Sequence, residues 1–232
     1  MLANESPRKS ILLFSGGIDS YVAWHFLKNP PTVYFDLNTP YSQRELKVVK
    51  NLISSTIIEK VIDFSSRQEG DHAYVPYRNL HLALLANKYA DRIIIAGLKD
   101  DKVNDKNERV FRQFSYLMSD MMGRQIAVIS PFWDMTKEQV VSWFLHVYGG
   151  NEEDLLNTIS CYTPEKSSWG KDSNYCGECP ACFRKFVALR TNGILIPFHN
   201  YNLMMDYKKK AEEGYYIPQR NVAILRVLKE YI

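Results

Sequence analysis

Two hydrophobic patterns alternate along the first two thirds of this chain. Five short, mostly apolar runs, Ile11–Phe14, Thr32–Leu37, Ile57–Ile62, Ile93–Ala96 and Ile126–Ile129, have the length of buried strands. Between them stand segments with apolar residues at helical spacing: Tyr21–Leu27, a stretch through Lys47, Val48, Leu52 and Ile53, Leu80–Ala90 and Phe114–Met122. Lys137–Tyr148 reads as a further helix, with Thr136 and Gln139 spaced for a capping box. Ser42 and Glu45 have the same spacing ahead of the second helix. Strand–helix–strand–helix–strand opens a doubly wound parallel sheet, an α/β fold in which ligands sit at the carboxyl ends of the strands. That rule sets Ser15, Asn38 and Ser65 along one edge.

The texture changes at Gly149. A short acidic stretch, Asn151–Asn157, precedes a cysteine-bearing loop, a helix over Phe183–Thr191 stopped at Gly193, and a basic, aromatic tail, Tyr201–Ile232, with room for one or two helices. The predicted organisation is an α/β domain over 1–148 and a smaller helical region over 149–232 packed on it. A hydrophobic content of 46% in 232 residues supports a packed core. No apolar run reaches membrane-spanning length, and Met1–Ser10 is polar and lacks a signal-peptide core, which predicts a cytoplasmic protein with no membrane partner. The net charge of +3 is too small to imply nucleic-acid binding. Residues 183–232 carry nine Lys and Arg against four Asp and Glu, which reads as a solvated basic face or as a guide for an anionic nucleotide.

Phe14-Ser15-Gly16-Gly17-Ile18-Asp19-Ser20 joins the first strand to the first helix. A glycine turn at a helix N-terminus is an anion site, because orphan N–H groups and the positive end of the helix dipole meet there. The glycines permit close backbone approach, and Ser15 and Ser20 add hydroxyls. No lysine follows, so this is not the Walker pattern. The Ser-Gly-Gly-x-Asp-Ser string resembles the pyrophosphate-binding PP-loop of enzymes that cleave ATP to AMP and pyrophosphate. All four cysteines lie at Cys161, Cys176, Cys179 and Cys182, a C-x14-C-x2-C-x2-C spacing. Four thiolates suit tetrahedral, structural Zn2+; an iron–sulfur cluster takes the same number, and a reducing compartment argues against disulfides.

Several motifs occur in order: Ser15–Ser20, Tyr41-Ser42-Gln43-Arg44-Glu45-Leu46, Val75-Pro76-Tyr77-Arg78-Asn79, Trp133-x-x-Thr136-Lys137, and Ser160-Cys161-Tyr162 with the three later cysteines. Together they resemble the 7-cyano-7-deazaguanine synthase family, over roughly residues 11–193. The resemblance implies an ATP-dependent ligase that joins ammonia to 7-carboxy-7-deazaguanine through an adenylated intermediate and yields the nitrile. It implies ATP on Phe14, Ser15, Gly16, Gly17, Ile18, Asp19, Ser20, Tyr21, Val22, Ala23 and Trp24, with Mg2+ accompanying the phosphates. It implies substrate contacts from Tyr41, Gln43, Arg44, Tyr77, Arg78, Asn79 and Lys99, and catalytic roles for Asp19, Arg78 and Asp105. In place of the family's usual His stands Glu45, and of its Gly-Tyr-Pro-Asp-Cys-Arg stretch only Asp105 corresponds.

Plainer roles stand beside these. Asp19 and Asn79 are suited to capping helices, the charged stretch Lys99–Arg112 to a solvated loop, and Trp133, Trp143, Phe144 and Tyr148 to core packing. The competing functions are a divergent member that stops at the amide or transfers the activated base, a PP-loop tRNA-modifying enzyme, and a non-catalytic nucleotide-binding module. Against the tRNA enzyme, no Cys-x-x-Cys outside the cluster is available to carry sulfur. The aromatic, basic tail offers a face for a homodimer.

Overall fold

The computed structural model describes residues 9–39, 41–60, 75–162 and 174–231. Among them, β1 (Ser10–Leu13), β2 (Thr32–Asp36), β3 (Ile57–Lys60), β4 (Arg92–Ile94) and β5 (Ala127–Ile129) form one parallel sheet in the order β3-β2-β1-β4-β5. β1 is central, with Leu12 opposite Thr32 of β2 and Ile11 opposite Ile93 of β4. The chain winds outward from β1 in both directions, so the crevice at the end of β1 lies at the point where strand order reverses.

Side-chain direction alternates along each strand and splits the core into two layers. Leu12, Phe14, Tyr34 and Ile94 face α1 (Ile18–Phe26), α5 (Lys137–Ser142), α7 (Pro180–Thr191) and α9 (Pro218–Leu228). Ile11, Leu13, Val33, Phe35 and Ile93 face α3 (Arg78–Ala86) and α4 (Glu108–Met122). Leu12, Val22 and Phe144 are fully buried, and each such side chain contributes on the order of 1.5–3 kcal/mol of transfer free energy. The first layer takes residues from both sides of Gly149, so the C-terminal helices share a core with the sheet. α2 (Ser42–Leu52), α6 (Glu152–Asn157) and α8 (Tyr201–Glu212) complete the helices, and the tail forms two, α8 and α9. None of the described helices is long and apolar enough to cross a membrane.

Several elements differ from the pattern. α4 starts at Glu108, six residues before Phe114, because the Asn107 side chain accepts from Val110 N at 3.0 Å and caps it. Glu108, Arg109 and Arg112 of that first stretch are exposed, so no apolar spacing announces it. α5 has its capping box at Thr136 and Gln139, then continues as a π-helical turn, Trp143–Tyr148. α2 has none: Tyr41 is its N-cap, the Ser42 hydroxyl accepts from Thr39 N at 2.9 Å, and Glu45 turns toward Tyr34. α6 fills the acidic stretch, with Asn151 accepting from Asp154 N at 2.8 Å and acids in the first turn, where the helix dipole favours them. Phe144 is core and Trp133 packs edge-on against Phe111, whereas Tyr148 stacks on Phe144 and stays largely exposed. Val61, Ile62 and Ser65 lie outside the described residues.

Candidate active site

The β1–α1 turn carries the sharpest backbone. Gly16 has φ +72°, a Cβ there would meet Val48 Cγ1 at 3.0 Å, and its carbonyl accepts from Ile159 N at 2.9 Å. The left-handed conformation and the missing side chain are therefore both used. Gly17 is the N-cap of α1 with φ −80°, and no side chain among the described residues caps the helix, which leaves its first N–H groups for a ligand. Ser15 and Ser20 hydroxyls stand 3.4 Å apart. Asp19 does not cap α1; its Oδ1 accepts from Lys137 Nζ at 2.5 Å, an ion pair that is mostly buried. Lys137 opens α5, so the capping box at Thr136 aims a cation at a turn that has none of its own.

Beside this turn opens a cavity of about 420 Å³, in the range of small-ligand sites. Its floor is the end of the sheet, with Leu13, Val33, Phe35, Ile95 and Ala96; its walls come from α2, α3, the loop after β4 and α7. From α2, Glu45 Oε2 accepts from Tyr34 Oη at 3.1 Å. Burial pushes the Glu45 carboxyl up to about 7, although the Arg78 guanidinium and the Tyr34 hydroxyl pull it down. Tyr41 and Tyr162 meet edge to face with centroids 5.0 Å apart, and burial raises both phenols, that of Tyr162 to about 12. From α3, Asn79 is buried and doubly held: its backbone N–H donates to Asp105 Oδ2 at 3.0 Å and its amide to Oδ1 at 2.9 Å. Asp105 thus satisfies an orphan donor in the first turn of α3 from another part of the chain, a capping task assigned above to Asn79 itself. Tyr77, the N-cap residue, has φ +58°.

The loop after β4 is only in part the solvated stretch that its charge density suggests: Lys99 and Lys102 are exposed, but its paired acids are not. Asp100 is buried, and Asp101 has 2% of its side chain exposed. Arg184 of α7 reaches Asp101 Oδ1 at 2.6 Å and Asp100 Oδ2 at 3.0 Å, Lys106 reaches Asp101 Oδ2 at 3.0 Å, and Arg220 donates to the Asp100 carbonyl at 3.1 Å. Burial alone would raise the Asp101 carboxyl, but Lys106 and Arg184 outweigh it and hold it below the usual carboxylate range. Arg184 and Lys106 also line the cavity, and Tyr207 of α8 reaches its wall.

Cys161, Cys176, Cys179 and Cys182 are all buried, with their sulfurs within 4.8 Å of one another. Cys179 N donates to Cys176 Sγ at 3.3 Å and Cys182 N to Cys179 Sγ at 3.4 Å, while Cys179 caps α7 and Pro180 starts it. Inward-turned thiols supported by backbone N–H groups form a donor set that fits a tetrahedral zinc ion. The group borders the cavity through Cys161, Pro180 and Ala181. Lys185, also buried, donates to the Leu156 and Thr158 carbonyls at 3.1 and 2.7 Å and ties α7 to the end of α6.

Comparison with known proteins adds an independent line. Residues 45–193, more than half of the chain, match the family model described as queuosine biosynthesis protein QueC.

The chain belongs to the QueC family.

Among curated relatives, the 7-cyano-7-deazaguanine synthase of Rickettsia prowazekii is 28% identical over 231 residues, covering 82% of this chain and 98% of that protein. The protein of the same name from Rickettsia akari is 27% identical over 234 residues, with the same coverage of each chain. That from Sulfolobus acidocaldarius is 23% identical over 236 residues, covering 85% of this chain and 49% of its own length. The QueC match begins at Glu45 and ends at Gly193, so the β1–α1 turn precedes it and Tyr207 follows it.

Of the residues expected to bind ATP in this QueC-family chain, Phe14, Ser15, Gly17, Ile18, Asp19 and Ser20 line the cavity. Gly16 shapes the turn from beneath, Tyr21, Val22 and Ala23 are buried in the first core layer, and Trp24 packs against it with its indole N–H donating to Pro30 O at 3.2 Å. Tyr41, Arg78 and Asn79 line the cavity. Gln43, Arg44, Tyr77 and Lys99 are not part of its wall; Gln43, Tyr77 and Lys99 are exposed. Lys137, Arg184 and Tyr207 were not singled out from the sequence as site residues. Lys137 stands in the Trp133-x-x-Thr136-Lys137 motif, the one signal that could have drawn attention to it.

Proposed function

We propose that this chain is a 7-cyano-7-deazaguanine synthase, a carbon–nitrogen ligase of queuosine biosynthesis, and that it activates its substrate with ATP. The observation that carries the reading is one cavity bordered on one side by Ser15, Gly17, Asp19 and Lys137, and on the other by Glu45, Arg78 and Asn79. The first side has the chemistry of a triphosphate site: uncapped helix N–H groups, two hydroxyls and an ammonium. The second has that of a planar, carboxylated base: a guanidinium for the carboxylate and a buried amide for a base edge.

A carboxylate is a poor electrophile because oxide is a poor leaving group. In the proposed sequence the substrate carboxylate attacks the α-phosphorus of ATP and pyrophosphate leaves. Ammonia then attacks the acyl carbon and AMP departs, which gives the amide. A second activation on the amide oxygen and loss of AMP give the nitrile. Lys137 supplies positive charge as the phosphate bond breaks, and the turn's N–H groups add fixed dipoles. Mg2+ would enter with the nucleotide and neutralise phosphate charge, with Asp19 the nearest acid of the turn. Zn2+ on the four cysteines would be structural and hold the α7 wall against the β1–α1 turn. Asp105 has both oxygens on Asn79, which supports a positioning role.

The test is mass spectrometry of products from 7-carboxy-7-deazaguanine, ATP, Mg2+ and ammonia. The nitrile with AMP and pyrophosphate is the expected outcome. The amide alone would mark a divergent member, and no pyrophosphate release with folded, zinc-loaded protein would refute the ligase reading.

A further inference from the structure

Three carboxylates line the cavity among the described residues: Asp19, Glu45 and Asp101. Two are committed, since Asp19 is paired with Lys137 at 2.5 Å and Asp101 with Arg184 and Lys106 at 2.6 and 3.0 Å. Among the described residues Glu45 has no cation within ion-pair distance; its hydrogen bond comes from a neutral phenol, Tyr34. The charged and titratable groups around it are Arg78, Asp36, Tyr34, Tyr41 and Tyr162, drawn from β2, α3 and the loops before α2 and after α6. Arg78 favours its ionised form and Asp36 opposes it, while burial favours the neutral form most. The carboxyl therefore exchanges its proton near neutrality, where a general base both accepts a proton and passes it on.

We propose that Glu45 is the base that takes the proton from the attacking ammonia nitrogen. The inference rests on the adenylation reading above. As the new C–N bond forms, the nitrogen acquires positive charge and would otherwise be expelled again. One N–H electron pair stays with nitrogen, its proton passes to a Glu45 oxygen, and the C–O bond to AMP breaks with its electron pair on the phosphate oxygen. Amide, AMP and a protonated Glu45 result, and water recovers the proton. Tyr34, donating to Oε2, positions the carboxylate and sets its proton affinity.

The experiment compares wild-type enzyme with Glu45→Gln and Tyr34→Phe in two assays. Exchange of labelled pyrophosphate into ATP, with 7-carboxy-7-deazaguanine and no ammonia, reads activation alone. Product formation against ammonia and pH reads the attack. Glu45→Gln is expected to lower kcat for product by about 10²-fold, the usual size of a general-base contribution, and to lower exchange by far less. The acid limb of kcat/KM for ammonia, expected in wild type near pH 7, should vanish in Glu45→Gln. Tyr34→Phe removes a donor that favours the carboxylate, so its limb should move to higher pH. A Glu45→Gln enzyme with wild-type turnover and an unchanged limb overturns the proposal. So does a rise in KM for the deazaguanine with kcat unchanged, which would make Glu45 a reader of the base edge. Equal loss of exchange and turnover would indicate a structural role instead. Wild-type enzyme that makes nitrile without any exchange refutes both this step and the adenylation reading.

Discussion

Gly16 and Gly17 are adjacent and chemically identical, yet substitution should expose two different functions. At Gly16, Gly16→Ala puts a Cβ into a φ of +72°, which costs about 1–2 kcal/mol for an L-residue. That Cβ also sits 3.0 Å from Val48 Cγ1 and 3.4 Å from Ile159 Cγ2 and Val49 Cγ2, inside a packed layer whose β-branched neighbours have little rotamer freedom. Overpacking of this kind adds about 1–3 kcal/mol. The sum is roughly 2–5 kcal/mol, and for a chain of this size each kcal/mol lowers Tm by about 2–4 °C, so a drop of roughly 4–20 °C is expected. At Gly17 the φ of −80° suits any residue, and among the described residues a Cβ would meet Ile159 O at 3.3 Å and Ser15 Oγ at 3.5 Å. Gly17→Ala should change stability by about 1 kcal/mol or less, the scale of an N-cap exchange, while crowding the cavity side of the turn. Strain at positive φ thus belongs to Gly16 and steric obstruction of phosphate to Gly17. The assay is paired: thermal and urea unfolding for stability, and pyrophosphate release for function at a temperature where both variants are folded. A Gly16→Ala protein that melts with wild type would refute the strain and packing account; a folded Gly17→Ala protein with normal pyrophosphate release would remove the turn from the chemistry.

Purified protein should carry about one equivalent of zinc, and Cys176→Ser should lower both zinc content and Tm; a brown, iron-loaded protein would point to a cluster instead. Arg184→Met leaves Asp100 and Asp101 buried without the guanidinium they share, so urea unfolding should show a loss of about 3–5 kcal/mol, and a change below about 1 kcal/mol would contradict the network. Because Asp101's folded carboxyl lies below its unfolded value of about 3.9, its stabilising contribution is fully present above that pH and lost as pH falls toward the folded value; this acid-side loss should shrink in Arg184→Met. Lys137→Met should lower pyrophosphate release by about 10²-fold or more with the fold retained, since the removed charge is one of few facing the turn; near-normal release would leave Lys137 a structural partner of Asp19.

The sequence by itself determined the local chemistry of this protein. Apolar runs of strand length separated by helical spacing specify a parallel α/β sheet because strand and helix periods are properties of a few consecutive residues. A Gly-Gly turn between Leu13 and Ile18 specifies an anion-ready helix start for the same reason, and three cysteines at x2 spacing converge through one short loop. Tertiary structure decided which distant residues complete the site. Lys137 meets Asp19 across 118 positions, Arg184 meets Asp101 across 83, and Asp105 holds Asn79 across 26. Capping and charge went astray where a non-local partner displaced the local one. Ser42 and Glu45 have capping-box spacing, but Tyr34 on β2 offers Glu45 a hydroxyl in a buried wall. Asp100 and Asp101 sit in a charged run that looks solvated until α7 and α9 bring Arg184 and Arg220 against it. A buried carboxylate needs a partner, and which partner it finds depends on how the helices pack on the sheet, a property that no window of adjacent residues contains.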